Sequence, residues 1–196
     1  MICMVTENRE ERGHHPAVLS REGTVMVIVD VQEKLLPYVV DKEQVTKNLA
    51  TLIKFARIMR IPILITEHYP KGLGETVPEI KESLGSHAPI KKVIFSCCGS
   101  SEFMKTLDAM APKRLMIAGI ETHICITQTS LDAMHTGYEV HVIEDATSSR
   151  TKRDHDLGVD KMRHLGAVIS STEMAMYEIM ERADTKEFKE VLQLVK

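Results

Sequence analysis

The run at residues 24–30, TVMVIVD, constrains the fold more than any other stretch of the chain. It is apolar and largely β-branched at successive positions and closes on a carboxylate. A strand with alternating apolar and polar residues can leave one face in water, whereas a strand apolar on both faces has to be covered on both. The run therefore predicts an inner strand of a parallel sheet lying between two helix layers, with Asp30 at its carboxyl end. Five more strand-like runs follow, at residues 61–66, 91–96, 115–118, 138–143 and 167–169. Helical periods separate most of them. Residues 43–60 carry Val45, Leu49, Leu52, Ile53 and Ala56 on one stripe before Pro62 bars further helix. Residues 102–110 turn Phe103 and Leu107 inward, residues 151–165 have a charged outer face, and residues 186–195 form a last amphipathic helix. Ser170 to Glu173 reads as a capping box that opens a helix reaching Arg182. The segment EHYPKGLGETVPEI, in which two prolines and two glycines mark irregular backbone, reads as a long loop.

Strands alternating with helices predict a three-layer α/β/α, doubly wound fold with a six-stranded, mostly parallel sheet. At 196 residues the chain is expected to form one domain over 24–196, preceded by a polar arm over 1–23 that includes His14 and His15. Hydrophobic residues make up 43% and charged residues 27%, which argues against wholesale disorder. A formal net charge of -3, with Lys and Arg spread along the chain, gives no electrostatic basis for nucleic acid or an anionic membrane surface. No apolar run approaches the roughly 20 residues that cross a bilayer, and the apolar start MICMV is too short for a signal segment. Cys3, Cys97, Cys98 and Cys125 make no C-x-x-C pair, so neither a disulfide framework nor a zinc knuckle is indicated. The expectation is a soluble, cytoplasmic protein with reduced thiols.

The stretch KRLMIAGIETHICITQTSLD, residues 113–132, carries the chemistry. A short strand run ends in a Gly119-Ile120-Glu121 turn, and from Thr122 a helical period begins with Ile124, Thr127, Leu131 and Met134 on one face. Thr122 as N-cap places Cys125 in the first helical turn. There the positive end of the helix and unpaired backbone N–H groups favour thiolate. Asp30 ends the first strand and Lys92 lies in the third, so in a parallel sheet they share an edge with Cys125, where such folds bind ligands. A carboxylate beside a thiol can take its proton, and a lysine beside both stabilises the ionised state. There is neither a G-x-G-x-x-G after a strand nor a G-x-x-x-x-G-K-[ST], so dinucleotide and P-loop phosphate binding have no support.

With these residues in place, the chain resembles the isochorismatase-like cysteine hydrolase superfamily, which includes nicotinamidases, N-carbamoylsarcosine amidohydrolase and isochorismatase. Three segments carry the likeness: VMVIVDVQ with Asp30 and Gln32, KKVIFS with Lys92 four residues before Ser96, and AGIETHICITQTSLDA with Cys125. It extends over residues 25–177. The segments TEHYPKGLGETVPEI and AMHTGYEVHVIEDATSSR resemble the subgroup of isochorismatase-domain-containing proteins. The resemblance implies an Asp30-Lys92-Cys125 triad and a cis peptide between Ile120 and Glu121. It also implies an oxyanion hole from the backbone N–H groups of Glu121 and Cys125. Lys91 competes with Lys92, but side chains alternate across a strand and the offset to Ser96 selects Lys92.

True isochorismatases resemble this fold but lack the cysteine. Keeping Cys125 implies acyl chemistry through a thioester on a small amide-like C–N substrate. The alternatives are hydrolysis of a vinyl ether through Asp30 alone, or a non-enzymatic binding or scaffold protein that retains the triad. The Asp-x-His metal pattern of nicotinamidases reads Glu67-His68-Tyr69 here, so no metal and no cofactor are expected. His68 is then a pocket or loop hydrogen bonder and His123 a helix-surface residue. Pocket-wall candidates by position are Gln32, Leu36, Tyr69, Leu73 and Cys97. Of Cys97 and Cys98, one is expected to pack and one to line the pocket mouth, and Asp145 and Arg150 to cap and pair around their loop. The expected partners are a small-molecule substrate and further copies of the chain, as a dimer or tetramer.

Overall fold

A computed structural model describes residue 15 and residues 17–86 and 88–195. Residues 1–14, and with them Cys3 and His14, lie outside the described residues. In chain order the elements are β1 (Thr24–Val29), α1 (Lys42–Ile58), β2 (Ile63–His68), α2 (Pro70–Leu73), α3 (Pro78–Leu84), β3 (Ile90–Lys92) and α4 (Ser101–Met110). They continue with β4 (Arg114–Ile120), α5 (Thr127–His135), β5 (Glu139–Ser148), α6 (Lys152–His164), β6 (Val168–Ser170), α7 (Thr172–Met180) and α8 (Lys186–Val191). The six strands form one sheet in the order β3-β2-β1-β4-β5-β6, and every pairing is parallel.

The apolar run of β1 does what its composition requires. Val25, Val27 and Val29 enter a layer with Phe103 and Leu107 of α4, Ala133 of α5 and Met162 of α6. Met26 and Ile28 point the other way, into a layer with Leu49, Leu52 and Ile53 of α1, Ile80 of α3 and Met176 of α7. Both faces of the strand are thereby removed from water, and the three-layer architecture follows. Among the described residues no helix is long and apolar enough to cross a membrane.

The structure departs from the sequence-based expectations where tertiary contacts outweigh local pattern. The third strand ends at Lys92 instead of Ser96. It is an edge strand, and beyond it the chain bends so that the carbonyls of Ile94 and Phe95 accept from Lys92 Nζ at 3.2 and 3.0 Å. Val93, Ile94 and Phe95 are left exposed. The loop expected after β2 contains two short helices, α2 and α3. Pro70 and Pro78 stand in their first turns, where a missing N–H costs nothing. The helix after β4 does not begin as an α-helix at Thr122: Thr122–Ile126 is a π-helical turn and α5 starts at Thr127. The buried face consequently rotates to Cys125, Ile126, Thr129, Ser130 and Ala133, while Ile124, Leu131 and Met134 are only half-buried. The N-cap of α7 is Ser171, one residue past the expected box, accepting from the Met174 N–H at 3.3 Å. The last helix stops at Val191 and docks on the domain itself, with Val191 buried and Phe188 and Leu194 packed on the same layer. Within the expected arm, Leu19 is buried in that layer and its N–H donates to Glu178 Oε2 at 2.9 Å.

Gly119 is held at φ 119°, and a Cβ on it would lie 2.2 Å from the Val29 carbonyl oxygen. Gly119→Ala is therefore expected to cost on the order of 3–5 kcal/mol. Gly137→Ala meets nothing within 4 Å and incurs only the positive-φ cost, about 1–2 kcal/mol. Urea unfolding of the two variants measures the difference. His141, on β5 opposite Met116, is buried with neither ring nitrogen bonded among the described residues. Burial, aided by Arg114 and opposed by Glu139, pushes its pKa down from 6.5 to about 4. The unfolded chain takes that proton first, so this contribution is complete above pH 6.5 and is lost as pH falls toward 4. The drop in urea midpoint between pH 7 and pH 5 is expected to be smaller in His141→Leu than in the wild type.

Candidate active site

β1 and β4 are neighbours, and the strand order runs outward in opposite directions from them, so the crevice beyond their carboxyl ends is the topological switch point. Asp30 leaves β1 with a left-handed φ of 53°. Val29 pairs with Gly119, and the lack of a side chain at Gly119 lets the two strand ends approach.

Asp30 and Lys92 are 62 residues apart in sequence and form a wholly buried ion pair, with Lys92 Nζ 2.5 Å from Asp30 Oδ2 and both side chains at 0% exposure. The lysine also donates to the Ile94 and Phe95 carbonyls, so every direction of its ammonium group is used. The other carboxylate oxygen, Oδ1, accepts from Thr66 Oγ1 at 2.7 Å, and the Thr66 carbonyl accepts the Asp30 N–H at 3.2 Å. Burial works against the charge on Lys92, but Asp30, with Cys97 and Cys125 beside it, reverses the balance and holds its pKa above the ordinary value.

Cys125 sits in the π-helical turn, 6% exposed, within the electrostatic reach of Asp30 and Lys92. The peptide between Ile120 and Glu121, just before the turn, is cis. The turn is held from several sides. Thr127 Oγ1 donates to the Thr122 carbonyl at 2.7 Å, and Thr122 Oγ1 meets His155 Nδ1 of α6 at 2.9 Å. His155 Nε2 in turn meets Glu144 Oε1 at 3.2 Å. Gly158 of α6 lies so close that a Cβ there would be 3.0 Å from His123 Cα. The Glu121 carboxylate accepts from the Arg150 backbone N–H at 3.1 Å and from its Nε at 3.0 Å.

The electrostatics overturn the thiolate expectation. Burial, then the Asp30 charge, push the Cys125 thiol well above its ordinary value, and Lys92 offsets only part of this. Burial and the neighbouring carboxylate thus favour the neutral thiol over the thiolate. Cys97 and Cys98 are likewise raised, to about 11 and about 12, mainly by burial.

The structure thus brings Asp30, Lys92 and Cys125 together and places Ile120 and Glu121 at the base of the turn. It distributes the other candidates differently. Gln32 is buried and uses its amide on backbone: Nε2 donates to the His68 and Gly74 carbonyls at 3.0 and 2.7 Å, and Oε1 accepts from the His68 N–H at 2.7 Å. It staples the loop after β2. Leu36 lines a cavity of about 660 Å³ with Val77 and Pro78 that includes none of the three. Leu73 is half-buried, its carbonyl accepting from the Lys34 N–H. Tyr69 lines a cavity of about 540 Å³ beside Lys92 and Ile94. Cys97 is fully buried against Thr66 and Thr129, whereas Cys98 is partly exposed. His68 stacks on Phe95, its pKa lowered by burial and by Lys92. His123 is tied to Ser149 Oγ at 2.9 Å. Asp145 caps α7 through the Thr172 N–H and Oγ1. Thr66, Thr129, Ser149 and His155 carry no signal in the sequence, because a threonine ending a β-branched run reads as a strand former and a lone histidine on a charged helix reads as solvated. Among the described residues no group of three or more His, Cys, Asp or Glu is placed to hold a metal ion.

Comparison with known proteins places residues 24–174 under a family model described as the isochorismatase domain. Isochorismatase domain-containing protein 2A of Mus musculus is 36% identical over 178 residues, covering 89% of this chain and 84% of the relative. Among solved structures, the MAR1 ribonuclease of Caenorhabditis elegans superposes with a TM-score of 0.85 at 34% identity, covering 90% of this chain and 91% of the other. YcaC of Pseudomonas aeruginosa, solved with hexane-2,5-diol and covalent acrylamide, superposes with a TM-score of 0.85 at 25% identity, covering 93% of each chain.

Because the ion pair is fully buried, neither partner can be changed without stranding the other. Asp30→Asn leaves the Lys92 ammonium on two carbonyls alone and is expected to cost about 3–5 kcal/mol. Asp30→Asn/Lys92→Met is expected to recover much of that. Urea unfolding of the wild type, the single and the double variant measures the coupling.

Proposed function

This chain belongs to the isochorismatase family and has the hydrolase fold of that family, and from that premise we propose that it is a cysteine hydrolase acting on a small amide-like C–N substrate through a thioester. The observation that carries the proposal is a buried cysteine, Cys125, placed beside a carboxylate that is itself pinned by a buried lysine.

In this reading a carbonyl carbon approaches Cys125 in the crevice beyond β1 and β4. The thiol proton passes to Asp30 as the sulfur attacks, so the C–S bond forms without a free thiolate having to persist in the buried site. The carbonyl oxygen takes up the electron pair and is held by the backbone N–H groups of Glu121 and Cys125, as oxyanion stabilisation requires. When the C–N bond breaks, Asp30 returns its proton to the departing amine. Water then adds to the thioester, losing a proton to Asp30, and the acid leaves as that proton returns to sulfur. Lys92 keeps the proton-free form of Asp30 available at each return. Neither a metal nor a cofactor enters these steps.

The solved neighbour from Caenorhabditis elegans is described as a ribonuclease. For this chain a small molecule fits better than RNA: a net charge of -3 with dispersed Lys and Arg supplies no track for phosphates. Association of identical chains belongs to the same reading, since Tyr69, Val93, Ile94 and Phe95 leave apolar surface exposed beside the site.

The test is intact-protein and peptide mass spectrometry after incubation with a pool of small carboxamides. The expected result is an acyl adduct on Cys125, absent from Cys125→Ala, whose mass names the acyl group. Turnover of a carboxamide that survives in Cys125→Ala would falsify the thioester route. Hydrolysis of a vinyl ether through Asp30 alone would proceed with Cys125 unmodified, so the same spectra separate the two chemistries.

A further inference from the structure

Thr66 lies in β2 beside Asp30, is 0% exposed, and belongs to none of the three sequence segments that identify the family. Its hydroxyl has two neighbours: Asp30 Oδ1 at 2.7 Å and Cys97 Sγ at 3.8 Å. A hydroxyl has one proton to give. An ionised carboxylate only accepts, so the Thr66 proton goes to Asp30, and Cys97 is left as the donor to Thr66 Oγ1. The Cys97 thiol has that proton available, because burial and the nearby Asp30 charge push its pKa up to about 11. The position of Cys97 is itself set, its backbone N–H donating to Thr129 Oγ1 at 2.9 Å. The result is a directed chain from Cys97 S–H to Thr66 O–H to Asp30 Oδ1, on the side of the carboxylate away from Lys92.

We propose that Thr66 is a positioning residue of the active site: oriented by Cys97, its hydroxyl holds Asp30 Oδ1 as a hydrogen-bond acceptor, fixing the carboxylate plane and keeping Asp30 ready to accept the Cys125 proton. The inference rests on Asp30 acting as that acceptor. It assigns Cys97 a task other than lining the substrate pocket or forming a redox pair. The charged and titratable groups facing Asp30 are Lys92 from β3, Cys97 and Cys125 from the turns after β3 and β4, and His68 from β2. Of these, His68 is the one whose titration could be confused with the effect of Thr66.

The probe is acrylamide, with its adduct on Cys125 quantified by peptide mass spectrometry across pH. A carboxylate that loses a donor holds a proton to higher pH. Thr66→Val, nearly isosteric but without the hydroxyl, is expected to move the acid limb of the Cys125 labelling profile upward by about 1 pH unit. Thr66→Ser is expected to restore it, and the shift is expected to persist in a His68→Asn background. Far-UV circular dichroism at each pH restricts the comparison to conditions in which the variant is folded, because Cys125 in unfolded chains would follow an ordinary thiol profile. An unmoved limb in Thr66→Val, or a shift that Thr66→Ser fails to reverse, overturns the assignment of Thr66. Failure of the underlying reading looks different: Cys125 labelling would then show the same pH profile in Asp30→Ser as in the wild type.

Discussion

The buried Asp30–Lys92 ion pair is the interaction on which the rest of the site depends. Each ion on its own would lose several kcal/mol of hydration in this interior. What makes the pair tolerable is the completeness of its coordination. Lys92 has Asp30 and two carbonyls, and Asp30 has Lys92 on one carboxylate oxygen and Thr66 on the other. Several local features follow from that requirement. β3 stops at Lys92 because the following carbonyls turn toward the ammonium group, and the bend pushes Val93, Ile94 and Phe95 to the surface. Asp30 takes a left-handed conformation immediately after β1. Such a pair does little for net stability beside an apolar alternative. Its persistence in the core of the switch point is better explained by chemistry than by folding.

Cys125, the proposed nucleophile, is governed by the same pair in an unexpected way. A cysteine near a helix start is ordinarily read as activated toward thiolate. Here burial and the carboxylate outweigh Lys92, and the thiol is held neutral. A thiolate beside Asp30 would place two negative charges in one dry pocket, and the proposed transfer of the thiol proton to Asp30 during attack avoids that state. The π-helical turn contributes by adding one residue to the register, which brings Cys125 and Ile126 inward together and turns small polar side chains, Thr129 and Ser130, onto the packed face. The outer support is equally specific. Gly158 of α6 lets the turn pack backbone against backbone, and His155 and Arg150 tether its N-terminal end through Thr122 and Glu121.

Much of the site is legible in the amino-acid sequence, and the reason is particular to each residue. Asp30 and Lys92 stand where apolar runs give way to loops, and charged residues at the ends of buried parallel strands have few places to be other than a site. Cys125 follows a glycine turn whose glycine proves to be sterically required. Thr66 is not legible, because at the end of IPILIT it has the composition of the strand it belongs to. Gln32 misleads for the converse reason. Its position beside Asp30 suggests a pocket wall, but its amide is consumed by the His68 and Gly74 backbone. Helices α2 and α3 are hidden behind prolines and glycines that mark irregular backbone in general and helix starts in this case.

The amino-acid sequence by itself determined the alternation of strands and helices, the burial of β1 on both faces, and the three reactive residue types at strand ends. Those are properties of residues near one another in the chain, where periodicity and chirality act directly. Only the tertiary structure decided that β1 neighbours β4, that Lys92 reaches Asp30 across 62 residues, and that the helix begins with a π turn. It alone also decided the protonation of Cys125, because desolvation and Coulomb energy depend on distances and on the exclusion of water. Neither exists until the sheet has closed around the site.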